Sequence, residues 1–187
     1  AYVRKDYDAL HAPLLSFHDK DIVQYTQSLP FKLTADQKKA SWRILTDLAK
    51  ERPMNRLVQG DVGSGKTVVA SIALLNTILN GYQAALMAPT DILAVQHFKT
   101  LNALLPKDIQ IALLTAKNSI LNDSEIPQAE LVKRLTAGSI DAIIGTQSLI
   151  QERIAFKRLG LVIIDEQHRF GVSQRQPFRS HLAKLHL

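Results

Sequence analysis

Cysteine is absent from the 187 residues of this chain. Disulfide bridges, thiolate zinc sites, iron–sulfur clusters and cysteine nucleophiles are therefore all excluded. The absence of cysteine also fits a reducing compartment. The six histidines are scattered along the chain, and none has a second ligand at metal-binding spacing, so the sequence gives no sign of a histidine-based metal site.

Long hydrophobic runs are missing as well. No window approaches about 18 consecutive apolar residues, and the start of the chain has no apolar segment like that of a secretory signal peptide. We therefore expect no membrane partner and a soluble, cytoplasmic protein. The apolar content of 46% is sufficient for the buried core of one domain of ordinary size.

Positive charge exceeds negative charge by a modest amount and is unevenly placed. The formal net charge is +6, and residues 31–60 and 151–187 each contribute +4, whereas the other segments are slightly acidic. Such a distribution permits a polyanionic partner. Many basic proteins bind no nucleic acid, so the charge alone does not indicate one.

The order of apolar and polar segments predicts the fold class. Residues 1–29 have mixed polarity and one short predicted helix at 19–28, and we interpret them as a connector from a preceding domain. Residues 30–187 alternate apolar strands with amphipathic helices, which is typical of an α/β domain with a largely parallel sheet flanked by helices. The predicted helices are 35–50, 66–80, 90–104 and 128–137; the predicted strands are 57–58, 84–88, 109–114, 141–144 and 161–164; residues 118–127 are expected to be a polar loop.

A glycine-rich turn lies between the first predicted strand and the second of the predicted domain helices. Its sequence fits the pattern G-x-x-x-x-G-K-[ST], in the strand–loop–helix context that this phosphate-binding motif requires. The backbone N–H groups and the helix N-terminus attract phosphate, the lysine reaches the β and γ phosphates, and the threonine holds magnesium. The residues are Gly60, Asp61, Val62, Gly63, Ser64, Gly65, Lys66 and Thr67.

A phosphate loop needs an acidic partner at the end of another buried strand, and Asp165 and Glu166 follow the apolar strand 161–164. We expect Asp165 to hold magnesium through water and Glu166 to polarise the attacking water. An acidic pair after a strand is also common turn and helix-cap chemistry. Here the two motifs support each other, because nucleotide hydrolysis needs both.

Gln37 has two interpretations. With Thr34 it fits a capping box at the start of the helix 35–50, in which Trp42, Ile44, Leu45 and Leu48 are predicted to form one apolar face. Its amide could also read the donor and acceptor edge of adenine. No N-K-x-D guanine-binding loop occurs in the sequence, and the residues alone leave both roles for Gln37 open.

The ordered set of motifs resembles the Q motif and motifs I, Ia, Ib and II of a superfamily 2 helicase. The longer strings around them resemble the RecG family of helicases for branched DNA, over residues 29–172. The motifs are Leu33-Thr34-x-x-Gln37, Gly60 to Thr67, Ala88-Pro89-Thr90, Gly145-Thr146-Gln147 and Asp165-Glu166-Gln167-His168.

The resemblance implies an ATP-dependent DNA helicase that uses magnesium and remodels stalled forks and Holliday junctions. It implies that this chain is the first RecA-like motor domain, whose partners are branched DNA and the wedge domain and second RecA-like domain of the same parent chain. An arginine finger from the second motor domain is worth roughly 10³ to 10⁵ in rate in related enzymes, so the isolated chain should be nearly inactive.

The resemblance also implies roles for single residues. Lys66 joins Asp165 and Glu166 in catalysis, and Gln167 and His168 couple nucleotide state to movement. DNA phosphates would be held by Pro89, Thr90, Gly145, Thr146 and Gln147, although many relatives carry histidine at the last position. From the residues alone, ordinary turn chemistry is the better explanation of these loops, and the ordered set of motifs favours the DNA contacts. His97 is expected on a helix surface, with a DNA contact as the alternative, and Phe31 either packs on adenine or acts as a hydrophobic staple.

Other functions remain as alternatives. Transcription-repair coupling translocases and primosomal helicases share these motifs, but usually carry Asp-Glu-Glu-His where this chain has Asp165-Glu166-Gln167-His168. A nucleotide-binding module that acts only through protein partners belongs to a different class. A small-molecule kinase would need an arginine-rich lid and an acceptor pocket, and the sequence indicates neither.

Overall fold

A computed structural model describes residues 12–61, 63–146, 149, 154–165 and 186 of the chain. Helices and strands alternate through most of this part, as the sequence predicts. The helices are α1 (Asp19–Ser28), α2 (Ala35–Leu48), α3 (Lys66–Leu79), α4 (Asp91–Leu104) and α5 (Gln128–Ala137). The strands are β1 (Gln83–Met87), β2 (Ile111–Leu114), β3 (Ser119–Leu121), β4 (Ser124–Glu125), β5 (Ala142–Gly145) and β6 (Leu159–Ile164).

The described strands form one sheet in the order β4-β3-β2-β5-β1-β6. The neighbouring strands β2, β5, β1 and β6 are parallel to one another. Strand β3 pairs antiparallel with β2 and with β4 at the edge of the sheet. Met87 at the end of β1 pairs with Gly145 at the end of β5 and with Ile164 at the end of β6. The chain therefore leaves three neighbouring strands at the same edge of the sheet, and the α/β prediction is confirmed.

Both faces of the sheet are covered, which explains why its central strands are apolar without alternation. Leu86 and Ile144 point into a cluster with α1 to α4, whereas Ala85 and Ile143 point into a second cluster with α5. No helix within the described ranges is long and apolar enough to cross a membrane.

The predicted strand 57–58 is wrong. The structure leaves these residues outside any strand, and the Leu57 side chain is 68% exposed. The physical reason lies at the β6 edge, where His186 forms an isolated parallel bridge to Leu161 and accepts a hydrogen bond from the Met54 N–H at 3.0 Å. Within the described part of the chain, residues 57 and 58 belong to no strand of the sheet, and an unpaired segment is not a strand.

The predicted loop 118–127 is also wrong, because it contains the short hairpin β3–β4. Leu121 pairs with Ala112 on the neighbouring strand β2, so one side of this edge is buried. Asn122 makes the turn in the left-handed region, with φ of 52°. Its Oδ1 accepts the Ile111 N–H at 3.0 Å, which fixes the turn to the sheet. The polar composition reflects an exposed edge and not the absence of structure.

Helix α2 follows the prediction except at one residue. Thr34 and Gln37 form the capping box, and Ile44, Leu45 and Leu48 are buried. Trp42 was predicted on the same face but is 59% exposed. Ser41 lies three residues before Ile44 and four before Leu45, so it shares their face of the helix and is buried. Trp42 lies to one side of that face.

The segment before α2 packs onto the domain. Leu15 is fully buried, and Ile22 and Tyr25 of α1 join the core. The Tyr25 hydroxyl donates to Ser71 Oγ of α3 at 2.8 Å, and burial raises the pKa of Tyr25. Helix 19–28 is therefore confirmed, and the stretch from residue 12 contributes to the core that supports α3. That it connects to a preceding domain stays a prediction.

His186 joins three separate parts of the structure. Its Nδ1 accepts from the Met54 N–H, its Nε2 lies 2.8 Å from the Pro13 carbonyl, and its backbone bonds to β6 through Val162. Burial lowers the pKa of His186, and the hydrogen bond to Pro13 and the charge of Asp47 oppose that shift only in part. The folded protein therefore favours neutral His186.

A neutral buried histidine predicts a loss of stability in acid. The unfolded chain takes up a proton near the ordinary pKa of about 6.5 while folded His186 resists it, so the unfolded state binds more protons below that pH. The free energy of unfolding should fall as pH drops below about 6.5, by at most about 1.4 kcal/mol per pH unit from this group.

Urea unfolding of wild type and of His186→Gln between pH 5 and 8 measures this contribution. The variant should be less stable at pH 8 and should lose stability less steeply toward pH 5. An equal slope in both proteins would show that His186 does not cause the pH dependence.

Candidate functional site

The glycine-rich turn leads directly into the N-terminus of α3. Gly63 and Gly65 have φ of 83° and 79°, in the left-handed region that favours glycine, and Gly65 is the N-cap residue of the helix. A Cβ at Gly60 would lie 2.6 Å from Ser64 Oγ, and one at Gly65 would collide with Gln37 Nε2. The backbone therefore has the compact form that lets N–H groups approach phosphate.

Lys66 lies folded over this turn. Its Nζ donates to the carbonyl oxygens of Gly60 at 2.7 Å and Asp61 at 2.9 Å. An ammonium group at a helix N-terminus is placed against the helix dipole, so it adds no stability to α3 by itself. The same placement is favourable when an anion lies between the ammonium and the N-terminus.

Gln37 connects α2 to the turn. Its Oε1 accepts the Thr34 N–H at 2.9 Å, and its Nε2 donates to the Ser64 carbonyl at 2.9 Å. The capping interpretation is confirmed, and the second contact was not predicted. The side-chain oxygen and the side-chain nitrogen of Gln37 can each make one further hydrogen bond. Recognition of adenine by Gln37 is therefore compatible with this geometry and stays a prediction.

Asp165 directly follows β6. Its backbone N–H donates to the Met87 carbonyl at 2.8 Å, and its Oδ2 lies 2.8 Å from His97 Nε2. The side chains of Asp165 and His97 are 27% and 17% exposed.

His97 was expected on the surface of a helix, and that expectation is wrong. Helix α4 packs back over the sheet, and position 97 lies three residues after Ala94 and four before Leu101, both fully buried. This spacing in the sequence could have revealed that His97 faces inward.

The loops after β1 and β5 lie side by side, since the Ala88 N–H donates to the Gly145 carbonyl at 2.8 Å. Thr90 is exposed and caps α4, with its Oγ1 accepting the Leu93 N–H at 3.3 Å. Gly145 is buried, and a Cβ there would collide with the Leu114 carbonyl. The capping contact that ordinary turn chemistry predicts is therefore present at these loops. Thr90 is exposed and so remains accessible to a ligand.

Pro89 and Thr146, which are half-buried, lie in the same pair of loops. Thr67 is half-buried in the first turn of α3. Five residues with predicted roles lie outside the described ranges, and those roles stay predictions: Val62, Gln147, Glu166, Gln167 and His168.

No group of three or more histidine or acidic side chains that could hold a metal ion occurs among the described residues. A magnesium ion would therefore need oxygen atoms from a nucleotide in addition to Thr67 and Asp165. Such shared coordination is how magnesium is usually bound with substrate phosphates. Thr67 and Asp165 fit a magnesium–nucleotide complex.

Residues 34–186 match the DEAD/DEAH box helicase family. The chain belongs to this family. Family membership confirms the superfamily 2 resemblance and implies use of ATP.

The chain is 50% identical to the ATP-dependent DNA helicase RecG of Bacillus subtilis (strain 168) over 165 residues, covering 88% of this chain and 24% of that protein. A solved structure of RecG bound to a three-way DNA junction matches with a TM-score of 0.80 and 44% identity, over 91% of this chain and 23% of that one. The chain thus spans about a quarter of the length of these relatives.

The UvsW helicase of bacteriophage T4 matches with a TM-score of 0.66 and 16% identity, over 93% of this chain and 58% of that one, which concerns the fold alone. The two structural matches confirm a RecA-like helicase domain.

Substitutions at the two capping residues separate the roles of Gln37. Thr34→Ala removes half of the capping box and leaves the contact to Ser64, whereas Gln37→Ala removes both of its own contacts. Each variant should lose about 1 kcal/mol of stability. Only Gln37→Ala should also weaken binding of ADP and reduce the preference for adenine over guanine nucleotides.

Calorimetric titration with ADP and GDP measures both effects, with Thr34→Ala as the matched control. Equal nucleotide affinities in the two variants would limit Gln37 to capping.

Proposed function

We propose that this chain is the nucleotide-binding half of an ATP-driven DNA motor that remodels branched DNA in recombination and repair. The proposal is supported by a glycine turn at the N-terminus of α3 and an acidic residue directly after β6, in a domain that is 50% identical to RecG over 165 residues. A motor of this kind would act on DNA in the cytoplasm.

The nucleotide phosphates would lie in the turn at the start of α3. Lys66 would exchange the carbonyl oxygens of Gly60 and Asp61 for phosphate oxygens, since both contacts are hydrogen bonds that an anion can replace. Magnesium, when bound, would neutralise phosphate charge. Thr67 and Asp165 are the residues that would hold it, and Glu166 would polarise the attacking water.

DNA would contact the paired loops after β1 and β5. Thr90 Oγ1 accepts a hydrogen bond from Leu93, so the hydroxyl keeps its own hydrogen to donate to a phosphate. Pro89 and Thr146 lie in the same two loops, and with Gly145 at the end of β5 and Gln147 they would hold the DNA backbone without reading sequence. The relative solved with a three-way DNA junction supports branched DNA as the partner.

The complete motor would need further domains. The relatives are long enough to contain them, because this chain covers about a quarter of their length. A second RecA-like domain would close over the nucleotide and supply an arginine finger, and a wedge domain would engage the branch point. Gln167 and His168 would pass the nucleotide state to that second domain.

Two substitutions in the full-length parent protein separate binding from hydrolysis. Lys66→Ala should weaken ATP binding, because it removes the ammonium group from the turn. Glu166→Gln should keep ATP affinity within about twofold and reduce hydrolysis by about 10² or more, since general-base groups contribute on that order. Equilibrium binding and steady-state hydrolysis measure the two effects.

Normal hydrolysis by Glu166→Gln would show that the acidic pair is assigned wrongly. Lys107→Ala, at an exposed lysine far along the chain from the turn, is a control for loss of positive charge.

A nucleotide-binding module that acts only through protein partners is the competing function. Three-way junctions, linear duplex and no DNA, each added to the full-length protein across a range of salt, distinguish the two. The motor should hydrolyse ATP fastest with the junction. Hydrolysis that is indifferent to every DNA would contradict the motor, and equal stimulation by linear duplex would favour a duplex translocase.

A further inference from the structure

None of the predicted motifs accounts for the contact between His97 and Asp165. His97 Nε2 lies 2.8 Å from Asp165 Oδ2, and both side chains are largely withdrawn from solvent. An ionised carboxylate has no hydrogen to donate, so Nε2 is the donor. Hydrogen bonds to an ionised group are about twice as strong as neutral ones.

We propose that His97 is a positioning residue that holds the Asp165 carboxylate in the orientation required for magnesium. The proposal rests on the proposed function, because it takes Asp165 as the residue that holds the ion. Through this contact, α4 and the loop before it are joined to the nucleotide site.

The two residues are anchored independently of each other. The main chain of Asp165 is fixed to the end of β1 by its N–H bond to Met87. His97 is fixed by the burial of Ala94, Phe98 and Leu101 on the same helix. The hydrogen bond between them therefore restricts the rotation of the Asp165 side chain.

The contact does not use up the carboxylate. A carboxylate has two oxygens and about four sites that accept hydrogen bonds or cations. Groups that hold a metal ligand from behind in this way typically change metal affinity by 10- to 100-fold when they are removed. His97 thus stands to Asp165 as an orienting partner and has no contact with the reaction itself.

The position of His97 on α4 gives the contact a second consequence. The helix begins directly after Thr90, whose hydroxyl caps it, and His97 lies about two turns further along. A helix moves as a rigid unit over that distance. Any shift of the loop at Pro89 and Thr90 would therefore reach the Asp165 carboxylate through His97.

The magnesium dependence of ADP binding tests the proposal. ADP affinity is measured by calorimetry over a range of magnesium concentrations for wild type, His97→Ala and His97→Gln. His97→Ala should raise the magnesium concentration needed for half of the effect by about tenfold or more. It should leave ADP affinity without magnesium unchanged. His97→Gln should recover part of the loss, since its amide can donate at a similar reach. Gln96→Ala, at the exposed neighbour on α4, is the matched control and should behave as wild type.

A purely structural ion pair gives a different result. It would lower the unfolding temperature of His97→Ala and leave the magnesium dependence unchanged, and that outcome overturns the proposal.

The ring nitrogens of His97, observed by NMR, test the contact without nucleotide. Asp165→Asn should shift the His97 Nε2 resonance and leave His18, whose N–H donates to Asn76 near the C-terminal end of α3, unchanged. An unchanged His97 resonance overturns the proposal. If the chain binds no ADP, the proposed nucleotide site fails, and the NMR result still decides whether His97 holds Asp165.

Discussion

Parallel pairing of β1 between β5 and β6 is the constraint on which the rest of the structure depends. Met87, Gly145 and Ile164 end these strands in register, so the loops that follow them must emerge together. Parallel strands need a crossover connection, and α4 supplies one for β1. The acidic strand end, the helix that carries His97 and the two candidate DNA loops are neighbours for this one reason.

The phosphate turn is attached to the rest of the domain through side-chain contacts. Gln37 connects it to α2, and α3 is held from the other side by Tyr25 and Asn80, which bond to Ser71 and to the backbone of Ser16. The segment before α2 therefore acts as a support for the phosphate helix. Residues 53–59, which lead to the turn, lie in no strand and are held by the hydrogen bonds Met54–His186 and Arg56–Asp47.

The sequence predicted the parts of the fold that are determined locally. Helices 19–28, 35–50, 66–80, 90–104 and 128–137 match the structure to within two residues, because caps and apolar periodicity define them. The prediction failed at the strand 57–58, which depends on a distant neighbour, and at the hairpin β3–β4, whose pairing with β2 is not visible in its polar composition. The predicted burial of Trp42 was wrong because Ser41 occupies the buried position on that face of α2.

The motifs of the site were predicted from the sequence, but the side-chain contacts that connect them were not. The phosphate turn and Asp165 were found by pattern, since both chemistries require fixed residue types. The contacts of Gln37 to Ser64 and of His97 to Asp165 join residues 27 and 68 positions apart, and no local pattern reveals them. They follow only from the register of the sheet and the packing of α2 and α4.

Amide chemical shifts during titration with magnesium–ATP and magnesium–GTP test the central claim most directly. ATP should shift the amides of Gly60 to Thr67 and of Asp165, and GTP at the same concentration should shift them less. Shifts that are absent at millimolar ATP, or that fall elsewhere on the chain while these amides stay unchanged, would contradict a nucleotide site at this edge of the sheet.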